Sequence, residues 1–71
     1  MKGLYKFSKI IKELRLQNEW SQDYVAKQLG ITYQSYQAYE KGIGIPSLEN
    51  FIKLADLFDV SLDYLVGRKE Y

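Results

Sequence analysis

Two glycines twelve residues apart, Gly30 and Gly42, punctuate the stretch SQDYVAKQLGITYQSYQAYEKG, and this punctuation most constrains the fold. Glycine reaches the left-handed backbone conformation that ends a helix at little steric cost. Ser21 and Thr32 are helix N-cap residue types, each standing just before an apolar-periodic run. The stretch therefore reads as two short helices joined by a tight turn. Val25, Ala26 and Leu29 form the packing side of the first, and Ile31, Tyr36 and Tyr39 follow the turn. This leaves Tyr33, Gln34, Gln37 and Ala38 with nothing to pack against. A helix braced from behind, with amides and an aromatic on its free side, suits insertion into a groove. The DNA major groove admits an α-helix and displays a donor and acceptor code that amides read.

The angular positions support this division. With Tyr33 at zero and about 100° per residue, Ser35, Tyr36, Tyr39 and Glu40 fall between roughly 200° and 340°. Tyr33, Gln34, Gln37 and Ala38 fall between roughly 0° and 140°.

The rest of the chain continues in helices, with no strand pattern. Ser8 is an N-cap candidate for a first helix whose stripe is Ile10, Ile11 and Leu14. Leu4, Tyr5 and Phe7 precede it as an apolar arm over the core or toward a partner. Ser47 opens a fourth helix with Leu48, Phe51, Ile52, Leu54, Ala55 and Phe58 as its apolar face, and Ser61 caps a short fifth. The expected helices cover about 8–18, 22–29, 33–41, 48–58 and 62–66, in one domain over 1–71 with no second domain to sense a ligand. Loops of about two to six residues suit a compact all-α domain. Tyr5, Tyr64 and Tyr71 have no evident place in this scheme.

Composition excludes several function classes. Cysteine and histidine are both absent, which removes the disulfide framework, the thiolate metal site and the commonest general base. Asp56, Asp59 and Asp63 read as helix caps and charge complements, not as a metal cage. No catalytic residues, metal or cofactor are expected, and the chain does not read as an enzyme. No apolar run is long enough to span a membrane. The N-terminus lacks the small-residue cleavage site of a secretory signal, so a cytoplasmic protein is expected. Net charge is +1, but seven Lys/Arg against four Asp/Glu give +3 over residues 1–41, and three against five give −2 over 42–71. This asymmetry has the sign expected of a nucleic-acid binder, although a small basic excess also serves plain solvation.

The chain resembles the Xre/Cro-type helix-turn-helix family of phage and bacterial repressors. The resemblance runs from Phe7 to Gly67. It is carried by Ile11-x-x-Leu14-Arg15, Ser21-Gln22, Val25-Ala26-x-x-Leu29-Gly30-Ile31-Thr32, Tyr39-Glu40-Lys41-Gly42, Pro46-Ser47-Leu48 and Val60-Ser61-Leu62-Asp63-Tyr64-Leu65. It implies a five-helix, lambda-repressor-like fold with the helix-turn-helix at helices two and three. Helix three would enter the major groove of double-stranded DNA, with two half-sites about 34 Å apart for a homodimer.

Within that frame, Tyr33, Gln34, Gln37 and Ala38 are the base-contact candidates. A glutamine amide pairs with adenine N6 and N7 together. Tyr33 either meets a thymine methyl, sugar or phosphate, or lies as a lid on helix two. Gln22, Thr32, Lys41, Gly42 and Ile43 are phosphate candidates, the last two through backbone amides. The resemblance also implies a partly buried salt bridge between Arg15 and Glu40. Phe58, Val60, Leu62, Tyr64 and Val66 offer apolar surface for a dimer, or for the interior of one subunit. The loop Ile43-Gly44-Ile45 lacks the basic residues that relatives often carry, and helix three has no Arg or Lys on its outer face. Phosphate contacts should be few, and binding should depend only shallowly on salt. An antitoxin or anti-repressor module, bound to a toxin or another protein partner, is the alternative reading.

Overall fold

The computed structural model describes the backbone of residues 2–68 and the side chains of residues 6–68. Five helices follow in order: α1 (Lys2–Gln17), α2 (Gln22–Leu29), α3 (Tyr33–Lys41), α4 (Leu48–Phe58) and α5 (Leu62–Leu65). There is no strand among the described residues.

Capping is local and matches the serine and threonine spacing. The Ser21, Thr32, Ser47 and Ser61 hydroxyls accept from the amides of Tyr24, Ser35, Asn50 and Tyr64, each three residues on. Each bond satisfies one of the orphan donors at a helix start. Gly30 closes α2 at φ 72°, and the Ile31 amide reaches back to the Ala26 carbonyl at 3.1 Å. This left-handed closure leaves only three residues between the end of α2 and the start of α3.

The core joins all five helices: Phe7, Ile11 and Leu14 of α1, Val25, Ala26 and Leu29 of α2, Tyr36 and Tyr39 of α3, Leu54, Ala55 and Phe58 of α4, and Leu65 of α5. Aromatic rings cover its edges. Phe7 meets Phe51 edge-on at 5.0 Å, and Trp20, in the α1–α2 connection, stacks on Phe58 at 5.8 Å.

Four expectations are corrected. The first helix begins at Lys2, not at Ser8. Ser8 is an interior helical residue, 4% exposed, with its hydroxyl packed beneath Gly42. Phe7 is no arm: it lies one turn before Ile11 on the same stripe and is 1% exposed. The stripe outweighed the capping preference of one serine. Leu4 and Tyr5 lie on helical backbone, and their side chains, with Tyr71, fall outside the described residues. In α4, Leu48 and Ile52 face outward, while Leu54, Ala55 and Phe58 carry the packing. Finally, α5 ends at Leu65, with Val66 as its C-cap.

Candidate nucleic-acid interface

The free face of α3 rests on two inward tyrosines. Tyr36 is fully buried and Tyr39 nearly so, and their rings meet edge-on at 6.2 Å. The Tyr39 hydroxyl accepts from Asn50 Nδ2 of α4 at 3.2 Å. The helix is thereby held from behind by the core and from the side by α4. Tyr33 and Gln34 are exposed on the opposite face, with Gln37 and Ala38 half-buried.

Two residues depart from the expected division of α3. Ser35 is exposed, because it sits in the first turn, where its hydroxyl accepts from Thr32 Oγ1 at 2.9 Å. Ala38 does have a packing partner. A Cβ added at Gly44 would lie 2.9 Å from the Ala38 Cβ, so the loop after α3 crosses close over this residue. The loop is pinned there by the Ile43 and Gly44 amides, which both donate to the Ala38 carbonyl at 3.1 and 3.0 Å. The Gly42 amide donates to the Tyr39 carbonyl at 3.2 Å. These bonds close the C-terminus of α3 and engage the amides expected to hold phosphate at Gly42 and Ile43. At this end Lys41 remains as an exposed cation, and the Ile43 side chain is 76% exposed.

A charged pair ties the last turn of α3 to α1. Arg15 Nε donates to Glu40 Oε2 at 2.6 Å and its Nη2 to Oε1 at 3.1 Å, while Nη1 donates to the Trp20 carbonyl at 2.9 Å. The side chains are 10% and 4% exposed. The fork geometry satisfies both carboxylate oxygens and ties α1 to α3. Burial alone would raise the Glu40 carboxyl. Hydrogen bonds from Arg15 and Gln22, together with the nearby Tyr36 hydroxyl and the Arg15 charge, outweigh burial and hold it below its ordinary value. The hydrogen bond to Glu40 raises Arg15 further. Tyr36 Oη finds no partner at hydrogen-bonding distance, and burial first, then the nearby Glu40 carboxylate, push its pKa upward.

The pair continues outward through neutral groups. Gln22, the first residue of α2, donates from Nε2 to Glu40 Oε1 at 3.0 Å. Its Oε1 accepts from the Tyr33 hydroxyl at 3.2 Å, and Gln37 Nε2 donates to that hydroxyl at 2.9 Å. Gln22, expected only as a phosphate contact, thus joins the buried ion pair to the outer face of α3. Only its last step, Tyr33 to Gln37, has the spacing of neighbours on one helix; the two bonds of Gln22 span 18 and 11 residues, and no sequence signal marks them. Gln34 has no hydrogen bond in this set and projects freely from the first turn.

Of the residues considered for a dimer, Phe58 belongs to the core, Val60, Tyr64 and Val66 are half-buried, and Leu62 is 39% exposed. A second apolar set escaped sequence reasoning about the interior: Ile43, Ile45, Leu48 and Ile52 are 76%, 67%, 70% and 43% exposed. Among the described residues, no helix is long and apolar enough to cross a membrane.

Residues 11–65 match the family model described as helix-turn-helix. The chain is 47% identical over 60 residues to the HTH-type transcriptional regulator AnsR of Bacillus subtilis, covering 84% of this chain and 52% of that protein. It is 44% identical over 48 residues to the cryptic phage CTXphi transcriptional repressor RstR of Vibrio cholerae, covering 68% and 43%. With the HTH-type transcriptional regulator ImmR of B. subtilis it shares 34% identity over 62 residues, covering 87% and 49%. The chain spans about half the length of these curated relatives. No solved structure matches it significantly.

Proposed function

The chain belongs to the Xre-like helix-turn-helix family, and from that premise we propose that it is a sequence-specific, double-stranded DNA-binding transcriptional regulator, a repressor acting as a homodimer on a two-fold symmetric operator. The observation that carries the reading is the division of α3. Its inner side is locked to the core by Tyr36 and Tyr39, and its outer side presents Tyr33, Gln34 and Gln37. A rigid helix with amides outward is the arrangement direct readout in the major groove requires.

Gln34, free of internal partners, contacts a base edge, and Gln37 and Tyr33 lie beside it on the same face. Ala38 lies at the edge of that contact, under the Gly44 crossing. Gln22, Thr32 and Lys41 flank the face and meet the phosphates. Gly42 and Ile43 contribute there through position, since their amides are engaged. Arg15 and Glu40 hold α1 and α3 in register and do not touch DNA. Dimer contacts come from the α5 end, through Leu62 with the rims of Val60, Tyr64 and Val66, while Phe58 supports them from the core.

Selection of bound sequences from a random duplex library tests this reading. The expected product is a two-fold symmetric site with half-sites about one helical turn apart, bound with a shallow salt dependence. Gln34→Ala should then lose preference at one base per half-site with the fold intact. Unaltered preference in Gln34→Ala would remove that residue from the reading face. The exposed Ile43, Ile45, Leu48 and Ile52 favour a second reading, a module that docks on a protein such as a toxin or an anti-repressor. Failure to enrich any duplex, with a protein partner retained on this surface, would favour it.

A further inference from the structure

We propose that Tyr33 is a positioning residue: its hydroxyl, oriented through Gln22 from the buried Glu40, fixes the Gln37 amide so that Gln37 reads adenine. The proposal rests on the DNA-reading function above and adds which way the amide faces and what sets it.

The direction of each hydrogen bond follows from the one before it. Glu40, ionised against Arg15, can only accept. The group of Gln22 facing it at 3.0 Å must therefore be the NH2, and the Gln22 carbonyl must face Tyr33. That carbonyl takes the Tyr33 proton at 3.2 Å. The Tyr33 oxygen then has only lone pairs left to offer, so Gln37 must approach it through Nε2, at 2.9 Å. Reversing the Gln37 amide would set two acceptor oxygens against each other. An amide that is normally free to choose either orientation is thus held in one.

The consequence is chemical. With one N–H engaged by Tyr33, Gln37 has its carbonyl oxygen and a single N–H left for a base. Adenine presents an amino donor and the N7 acceptor in the major groove, which matches this pair. Guanine presents two acceptors, O6 and N7, and would set O6 against the fixed carbonyl. Tyr33→Phe keeps the ring and removes only the hydroxyl, so it separates orientation from mere packing on α2.

The test is duplex selection, followed by affinity measurement on all four bases at each half-site position, with the unaltered chain, Gln37→Ala, Tyr33→Phe and Gln22→Ala. The position whose preference Gln37→Ala abolishes identifies the base that Gln37 reads. There the unaltered chain should favour adenine over guanine by about tenfold or more. Tyr33→Phe and Gln22→Ala should each lose most of that ratio while other positions keep theirs. Helical signal and melting of Tyr33→Phe should match the unaltered chain. Full adenine preference in Tyr33→Phe would overturn the proposal. So would a guanine or thymine preference at the Gln37 position, or no effect of Gln37→Ala. No enriched site with the unaltered chain would overturn the DNA-reading function itself, and the proposal with it.

Discussion

Removing Glu40 should cost this small domain a large share of its stability. In Glu40→Ala the Arg15 guanidinium keeps its bond to the Trp20 carbonyl but loses both carboxylate contacts, at 2.6 and 3.1 Å. Gln22 loses its acceptor as well. Breaking a buried pair by deleting one partner costs about 3–5 kcal/mol, because the other charge is left desolvated. Arg15 retains one acceptor, and the space opened beside Gln22 admits water, so the lower end, about 3 kcal/mol, applies here. A chain of this length is stable by about 4–10 kcal/mol in all. The melting temperature should therefore drop by about 12–24 °C, at about 4–8 °C per kcal/mol for a domain this small. Urea and thermal melts followed by circular dichroism measure both quantities. The double variant Arg15→Met/Glu40→Leu should recover part of the loss, since it removes the stranded charge. A loss below about 1 kcal/mol in Glu40→Ala, the range of an exposed pair, would refute the reasoning.

Further predictions follow from the same neighbourhood. Because Glu40 is held below its ordinary value of 4.5, the stability it contributes is present above that pH and lost as pH falls through the lower folded value; acid titration of stability should show this limb, and Glu40→Gln should flatten it. Tyr36 is raised from 10.0, so its contribution is present below pH 10 and lost as pH rises above it, a limb that Tyr36→Phe should remove in alkaline melts. Since its hydroxyl has no partner at hydrogen-bonding distance, the same variant should change neutral-pH stability by less than about 1 kcal/mol, whereas Tyr39→Phe, which loses the Asn50 bond, should cost about 0.5–1.5 kcal/mol. Gly44→Ala would place a methyl 2.9 Å from the Ala38 Cβ and 3.3 Å from its backbone carbon, so the loop must move away from α3, at about 1–3 kcal/mol in a urea melt.

What was legible in the sequence was what neighbours in the chain decide. All four Ser/Thr caps act three residues along, and Gly30 and Gly42 end the helices they follow. Tyr36 and Tyr39 turn inward and Tyr33 and Gln34 outward, as helical periodicity requires. The Arg15–Glu40 pair has no local signal: it spans 25 residues and was anticipated only through the family resemblance.

The tertiary structure decided how far each packed face extends and which side chains meet across helices. Ser8 has the chemistry of a cap but lies inside α1, because Phe7 continues the apolar stripe into the core. Leu48 and Ile52 have the chemistry of a core but stand outside it, because periodicity gives a direction around one helix and not the reach of its neighbours. The link from Glu40 through Gln22 and Tyr33 to Gln37 exists only because α2 packs across α3, setting Gln22 between Glu40 in the last turn of α3 and Tyr33 in its first. The amino-acid sequence alone determined α2, α3 and α4 with their ends, and the outward placing of Tyr33 and Gln34, since those depend on contacts within about one turn. Which way the amides on that face point depends on an ion pair assembled from distant segments, and only the packed structure brings those segments together.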